Sequence, residues 1–201
     1  MPPIQALILD LGNVLAFHDN TKLFGELARA FHTTDEEMKA RLDGGLWDRV
    51  NRGQLPGDAL RQELVDRLGH SISPAEWLEV WNCHFSINDA MVAHVEKLVG
   101  RVRLVLLSNT HDQHVGFLRP RLPVLSRFDA LVLSYEVGMV KPERGIYERA
   151  TDVAGVPPWR AAFFDDVERY AVAASDSGLH GRVFHSAAEF PAQLGALGVT
   201  L

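Results

Sequence analysis

The sequence predicts an α/β protein in which a parallel β-sheet is flanked by helices and interrupted by one long helical insertion. Three observations carry this expectation. Short apolar runs alternate with helical segments over much of the chain, the pattern of βα units wound into a parallel sheet. Polar residues gather just past the C-terminal end of each apolar run, where open α/β sheets hold their ligands. Between the first and second runs lies a stretch with helical periodicity, read as an inserted cap above the strand ends.

The elements follow in order. Ile4 to Leu9 is an apolar run that stops at Asp10, and Gly12 and Asn13 break the pattern at once, as a buried strand entering a loop does. Leu23, Phe24, Leu27, Ala28 and Phe31 recur at helical spacing. Thr34 and Glu37 form a capping box, and Ser73, Pro74 and Glu76 supply a cap, a first-turn proline and a third-position glutamate. Asn88 is placed to cap a helix carrying Met91, Val92, Val95, Leu98 and Val99. Val102 to Leu107 is a second strand ending at Ser108-Asn109-Thr110, and Ala130 to Leu133 a third, followed by Gly138 and Lys141-Pro142. A helix over Arg144 to Ala154 leads to a strand at Ala161 to Phe164 that ends in Asp165-Asp166. A helix over Ala171 to Gly178, a short strand at Val183-Phe184 and a helix over Glu189 to Leu197 complete the chain. The expected division is a core domain of residues 1–15 and 100–201 with a helical cap insertion of residues 16–99.

Composition narrows the function classes. The 201 residues are 47% apolar and 23% charged, ordinary for a globule with a real core. The formal charge of -6 is spread along the chain without a basic stripe, which argues against nucleic acid as a partner. An anionic substrate therefore needs local positive charge from a lysine or a metal. A single cysteine, Cys83, permits no disulfide within the chain and suits a reducing compartment; it is read as a small residue at the core edge. The N-terminal Met1-Pro2-Pro3 lacks the basic region of a signal peptide, and no run approaches the roughly 18 apolar residues of a membrane span. The expected location is the cytoplasm, with no membrane partner; the oligomeric state is not legible.

Four strand ends supply Asp10, Ser108-Asn109-Thr110, Lys141 and Asp165-Asp166. Any one alone reads as a turn or helix cap. Together they bring three carboxylates, a hydroxyl cluster and a lysine to one volume. Close carboxylates raise one another's pKa, and a divalent cation relieves the repulsion. Oxygen ligands on rigid loops suit Mg²⁺. Ser108 and the backbone amides after it, with Asn109 beside it, are placed to hold a phosphoryl oxygen, and Lys141 to balance charge. Asp10 is the candidate nucleophile of a phosphate-ester hydrolase working through an aspartyl phosphate.

The order and spacing of these segments resemble the haloacid dehalogenase (HAD) superfamily, mostly phosphatases. The resemblance rests on Leu9-Asp10-Leu11-Gly12-Asn13-Val14-Leu15, Leu106-Leu107-Ser108-Asn109-Thr110, Lys141-Pro142-Glu143 and Phe163-Phe164-Asp165-Asp166, which span nearly the whole chain. It implies a Rossmann-like core with a helical cap inserted after the first motif. It also implies Asp10 as nucleophile and Mg²⁺ ligand, Ser108 as phosphate-binding hydroxyl and Lys141 as charge-balancing lysine. Asp166 matches a direct metal ligand, Asp165 a direct or water-mediated one, and Gly12 a ligand through its carbonyl. The first motif is similar to a subgroup that includes sugar-1-phosphate phosphatases, and Asn51-Arg52-Gly53-Gln54-Leu55 resembles a stretch common in such caps.

Two departures stand out. Most phosphatases of the family carry a second aspartate two residues after the nucleophile, where this chain has Gly12. Loss of that general acid-base group removes help typically worth about 10²–10⁴-fold. A carboxylate or amide usually follows some four residues after the last motif's second aspartate, and here Arg169 and Tyr170 occupy the stretch, with Glu168 nearby. Three functions remain open: a phosphatase of a small metabolite such as a sugar phosphate, a 2-haloacid dehalogenase, and a phosphate-binding protein with weak or no turnover. The lesser signals have plain readings beside their functional ones. His111 and His114 can form part of a metal site, or occupy a surface or helix-start position. His18 and Asp19 belong to a hinge that can face the substrate. Trp47, Trp77 and Trp81 read as cap packing, and Arg52 as an exposed arginine within reach of an anion.

Overall fold

Leu9, Leu106 and Phe164 lie in one row across the sheet, each at or near a strand end, and the candidate residues project from the loops just beyond. A computed structural model describes residues 3–43 and 45–201; the expectation drawn from Met1 and Pro2 lies outside the described residues. Five parallel strands form the sheet: β1 (Ala6–Leu9), β4 (Arg103–Ser108), β5 (Ala130–Leu133), β6 (Ala161–Asp165) and β7 (His180–Val183), in the order β5-β4-β1-β6-β7. The three central strands are nearly continuous apolar runs because helices cover both faces.

The period-two alternation of a strand divides these runs between two cores. Leu7, Leu9, Leu104, Leu106, Ala162 and Phe164 face one cluster, which also takes Val115, Leu118, Phe190 and Leu194. Ala6, Ile8, Val105, Leu107, Ala161 and Phe163 face the other, filled by Ile146, Tyr147, Ala150 and Ala174. The first cluster is covered by α6 (Asp89–Leu98), α7 (Asp112–Leu118) and α11 (Phe190–Gly195). The second is covered by α9 (Arg144–Ala154) and α10 (Glu168–Asp176), with the short α8 (Ser134–Val137) between β5 and α9.

A third apolar cluster joins five helices: α1 (Asn20–Ala30), α2 (Asp35–Asp43), α3 (Leu46–Asn51), α4 (Gly57–Leu68) and α5 (Pro74–Asn82). Leu23, Leu27, Phe31, Met38, Leu60, Leu64, Trp77 and Trp81 form its centre. The chain enters and leaves these helices through a two-stranded antiparallel ribbon, β2 (Ala16–His18) with β3 (Phe85–Ile87). Strands of three residues carry too little alternation to be read from sequence. Helix α6 lies within residues 16–99, yet Met91, Val95 and Leu98 pack against the sheet, so the helical cluster ends before it.

The predicted caps are made: the Ser73 side chain accepts from the Glu76 amide, Asn88 from Met91, and Thr34 from Glu37. Asp19, in the hinge, caps α1 by accepting from the Thr21 and Lys22 amides. The strand expected at Val183-Phe184 is corrected to His180–Val183. This edge strand is polar and half-buried, so it leaves no apolar run, whereas Phe184 lies just past it in the core. Helix α10 begins at Glu168, earlier than Ala171. Among the described residues no helix is long and apolar enough to cross a membrane.

The helical cluster sits directly on the strand ends. Gly53, at φ 69, is pressed so closely on the core that a Cβ there would lie 2.1 Å from the Tyr135 carbonyl oxygen. Gly45 also has a positive φ, of 88, but open space around it. Gly53→Ala is therefore expected to destabilise the protein by about 2 kcal/mol or more, and Gly45→Ala by about 1 kcal/mol. Denaturant melts of the two variants check this; equal losses would show that Gly53 matters only for its backbone angle.

Candidate active site

Asp10 is the first residue past the central strand β1, and its carboxylate is 7% exposed. The Lys141 ammonium bridges it to the end of β6: Nζ lies 2.8 Å from Asp10 Oδ1 and 2.5 Å from Asp165 Oδ2. The Lys141 backbone is clamped to the end of β4, since its N–H donates to Asn109 Oδ1 at 2.7 Å and its carbonyl accepts from Asn109 Nδ2 at 3.0 Å. Three strand ends are thereby tied together. The aromatic rings of Phe163 and Tyr170 lie 5.5 and 5.1 Å from the ammonium.

The remaining carboxylates are held from both sides. Asp165 Oδ1 accepts from the Val167 amide at 2.8 Å, so both its oxygens have protein partners. Asp166 Oδ2 accepts from Asn13 Nδ2 at 2.9 Å. Asn13 reaches it from a left-handed backbone at φ 52, a conformation that asparagine tolerates better than most residues, while its Oδ1 accepts from the His18 amide at 3.2 Å.

Charge explains what this cluster wants. Burial pushes the Asp10 carboxyl up to about 7; Lys141 opposes the rise and Asp165 adds to it. Burial pulls the Lys141 ammonium down, but Asp10 and Asp165 outweigh it and hold its pKa above the ordinary lysine value. Three carboxylates face one ammonium. Oxygens of Asp10, Asp165 and Asp166 lie within 4.8 Å of one another, and among the described residues no other trio of histidine, cysteine or carboxylate ligands comes as close. A hard divalent cation fits this donor set, because it supplies the missing positive charge to oxygen ligands.

A cavity of about 360 Å³ opens above these residues, lined at its base by Asp10, Gly12, Ser108, Asn109, Lys141 and Asp166. Ser108, 3% exposed, ends β4 beside Asp10. Asn109 lines the cavity, but both polar atoms of its side chain are taken by Lys141, which leaves its backbone to face a ligand. The Thr110 amide is spent on Ser134 Oγ at 2.9 Å. Gly12 lies against an imidazole: a Cβ on it would stand 3.2 Å from His18 Nε2 and 3.8 Å from Asp10 Oδ2. The His18 ring thus stands close against position 12, and a Cβ there would need it to give by a few tenths of an ångström.

The upper wall comes from the cap and from α7. His111, at the cap position of α7, and His114 have ring centroids 3.7 Å apart. Trp81 Nε1 donates to His111 Nε2 at 3.1 Å, and the Trp81 carbonyl accepts from His114 Nε2 at 3.2 Å. The surface reading of these histidines is corrected: they are 1% and 8% exposed because Trp81 packs over them. Trp77 and Trp81 are buried packing residues, while Trp47, stacked on Trp81 at 5.4 Å, lines the cavity. Arg52 points elsewhere, pairing with Asp48 at 2.8 Å and with Glu143 of the core at 2.6 Å. Tyr170 lines the cavity where a further ligand was sought, and Arg169 lies against its ring.

Sequence reasoning missed Asn13 as the residue that holds Asp166, and Asn20, Asn51 and His84 as cavity lining. Asn13 carried a signal, as a polar loop residue beside Asp10, but was read only as a strand breaker. The other three sit where a polar cap residue looks the same in solvent or in a cavity.

Burial holds His84, His111 and His114 uncharged. It lowers His84 to about 4, with His18 and His111 adding to the effect and Asp19 opposing it, and it also lowers His111 and His114. Folded values below the unfolded value of about 6.5 mean that protonation favours the unfolded chain. The His84 contribution is complete above about pH 6.5 and is lost as pH falls towards about 4. In urea denaturation its loss lowers stability across that window by about 1 kcal/mol per pH unit, against the opposite contribution of Asp10, whose raised pKa favours the folded chain as pH falls below about 7. His84→Gln should flatten the fall; an unchanged slope would show that His84 does not contribute.

No family model matches the chain. It is 24% identical over 173 residues, 81% of this chain and 83% of the other, to a D-ribitol-5-phosphate phosphatase of Bacteroides thetaiotaomicron. A crystal structure of a HAD family enzyme from the same organism superposes with a TM-score of 0.85 at 26% identity, covering 92% of this chain and 95% of the other. A structure of that enzyme in complex with magnesium and inorganic phosphate gives a TM-score of 0.82 at 27% identity, over 91% and 95% of the two chains. The parallel five-stranded sheet, its flanking helices and these likenesses give the chain the fold of a HAD-family hydrolase.

Proposed function

We propose that this protein is a Mg²⁺-dependent hydrolase of phosphoric monoesters that attacks phosphorus with Asp10. One observation carries the reading: Lys141 Nζ sits between Asp10 and Asp165, with Asp166 close enough to share one cation. The relative that acts on D-ribitol 5-phosphate, and the related enzyme crystallised with magnesium and inorganic phosphate, support it. The substrate is a small phosphorylated metabolite, of which a sugar or polyol phosphate is one form. The core of residues 1–15 and 100–201 then supplies the chemistry, and the cap within residues 16–99 the substrate contacts. The single cysteine, Cys83, fits a cytoplasmic enzyme.

Asp10, Asp165, Asp166 and the Gly12 carbonyl would hold Mg²⁺. When bound, the ion supplies positive charge to the carboxylates and to a phosphoryl oxygen. The Ser108 hydroxyl and the Asn109 backbone N–H donate to the other phosphoryl oxygens. Lys141 orients the Asp10 carboxylate and balances the charge of the transferring group. An Asp10 oxygen forms a bond to phosphorus as the ester oxygen leaves, giving an aspartyl phosphate that water then hydrolyses. Asp10→Asn is expected to cost at least about 10³-fold in kcat against a panel of phosphate esters, and EDTA to abolish the activity. Activity that survives the substitution would reject the nucleophile.

Position 12 offers no carboxylic acid, and the His18 ring stands against it. Leaving groups that need little protonation should therefore be preferred, such as a sugar anomeric oxygen, an aryl oxygen or an acyl phosphate. The logarithm of kcat/KM is expected to fall steeply with leaving-group pKa across a series of aryl and alkyl phosphates. A flat dependence, or best activity on simple alkyl phosphates, would contradict this. Dehalogenation is the weaker reading: halide also leaves without a proton, but that reaction has no use for three clustered carboxylates. EDTA-insensitive halide release would favour it.

A further inference from the structure

We propose that the cavity above Asp10 selects phosphate monoesters whose remaining part is uncharged and hydroxylated, and turns away esters carrying a second anionic group. The proposal rests on the phosphatase reading and concerns the opposite end of the substrate.

The argument starts from which charges reach the cavity. Its lining contains one lysine and no arginine, and that lysine, Lys141, is 3% exposed and already shared between two carboxylates. Arg52 follows directly on the cavity residue Asn51, yet it does not line the cavity and spends its guanidinium on Asp48 and Glu143. Apart from His18, whose ring lies against Asn13, no side chain of the lining offers a cation to a carboxylate or a second phosphate. His84, His111 and His114 supply no charge near neutral pH, because burial keeps their imidazoles unprotonated.

What the walls offer is neutral. Asn20 and Asn51 present amides, which both donate and accept, as a hydroxyl requires. Trp47 presents a ring backed by Trp81, an apolar surface for the C–H groups of a carbon chain. Trp81 is in turn stacked on Trp77 at 4.7 Å, so this platform is fixed by the cap's own core.

The surface next to the cavity also opposes a second anion. A neighbouring cavity shares Asn20 and Trp47 with the first, and its lining adds Asp35, Glu36 and Asp43 against Lys39 alone. A substrate tail that passes Trp47 meets an excess of carboxylates. Like charges so placed reject a ligand that its other contacts would accept.

The test uses matched pairs: glycerol 3-phosphate against 3-phosphoglycerate, and fructose 6-phosphate against fructose 1,6-bisphosphate. Each is followed as kcat/KM with the wild type and, by calorimetry with Mg²⁺ present, as binding to Asp10→Asn. The neutral member should be favoured about tenfold or more in both measurements. The double variant Asp35→Lys/Asp43→Lys should reduce that ratio at least about threefold, by improving the doubly anionic member. Ratios within about twofold of unity, a ratio indifferent to the double variant, or binding of neither member would overturn the proposal. Selective binding to Asp10→Asn with no wild-type hydrolysis would support this charge selectivity while rejecting the phosphatase reading.

Discussion

Everything at the strand ends is organised around one buried ammonium. Lys141 arrives on the loop after β5, is fixed through its backbone by Asn109 at the end of β4, and reaches Asp10 past β1 and Asp165 at the end of β6. The contact joins segments far apart in sequence at the C-terminal edge of the parallel sheet, where ligand sites of this architecture form. A buried ion pair is a poor stabiliser, because desolvation consumes most of the Coulomb gain and apolar residues of the same volume would serve as well. Its presence at nearly zero exposure, with a third carboxylate alongside, is therefore an argument for chemistry: the fold gives up an apolar core position to keep charge where a phosphoryl group can use it.

The cap is held over this charge by contacts of modest strength. Arg52 pairs with Glu143, the Gly57 amide donates to Asp112, and Trp77 Nε1 donates to Gln113 Oε1 at 2.8 Å. A partly exposed ion pair of this kind contributes roughly 0–1 kcal/mol. The apolar cluster of the cap is separate from the two clusters on the faces of the sheet. Trp81 adds buried contacts with His111 and His114, and the short β2–β3 ribbon is the covalent link between cap and core. The stretch Asn51-Arg52-Gly53-Gln54-Leu55 gains its meaning here: Asn51 faces the cavity, Arg52 crosses to the core, and Gly53 allows the close approach to Tyr135.

Much of this was legible in the chain itself. The strands β1, β4, β5 and β6 are apolar runs closed by polar residues, and helix α9 matches its expected bounds of Arg144 to Ala154. The convergence of Asp10, Ser108, Lys141 and Asp165-Asp166 followed from parallel topology alone, since every strand of such a sheet delivers its C-terminal loop to the same edge. What was not legible depended on contacts between distant segments. Nothing local distinguishes His111 and His114 on a solvated helix start from the same pair under Trp81. The side-chain amide of Asn109 complements the Lys141 backbone, a pairing visible only once β4 and the lysine loop are side by side. The edge strand β7 escaped because its half-buried residues show no apolar run.

Gly12 brings these threads together. From the sequence it is an absence, a position without the acid that most relatives place there. In the folded chain the hinge turns back through Asn13 and sets the His18 imidazole 3.2 Å from where a Cβ at position 12 would lie. A side chain at 12 would need that ring to give by a few tenths of an ångström, so the two positions are coupled through the loop. The same loop aims the Asn13 amide at Asp166 and hands the chain to the cap through β2. An ester seated over Asp10 would therefore have an imidazole and an amide beside it, with no arginine in the cavity lining and its one lysine already shared between two carboxylates. How these few residues after β1 are turned decides what stands beside that carboxylate.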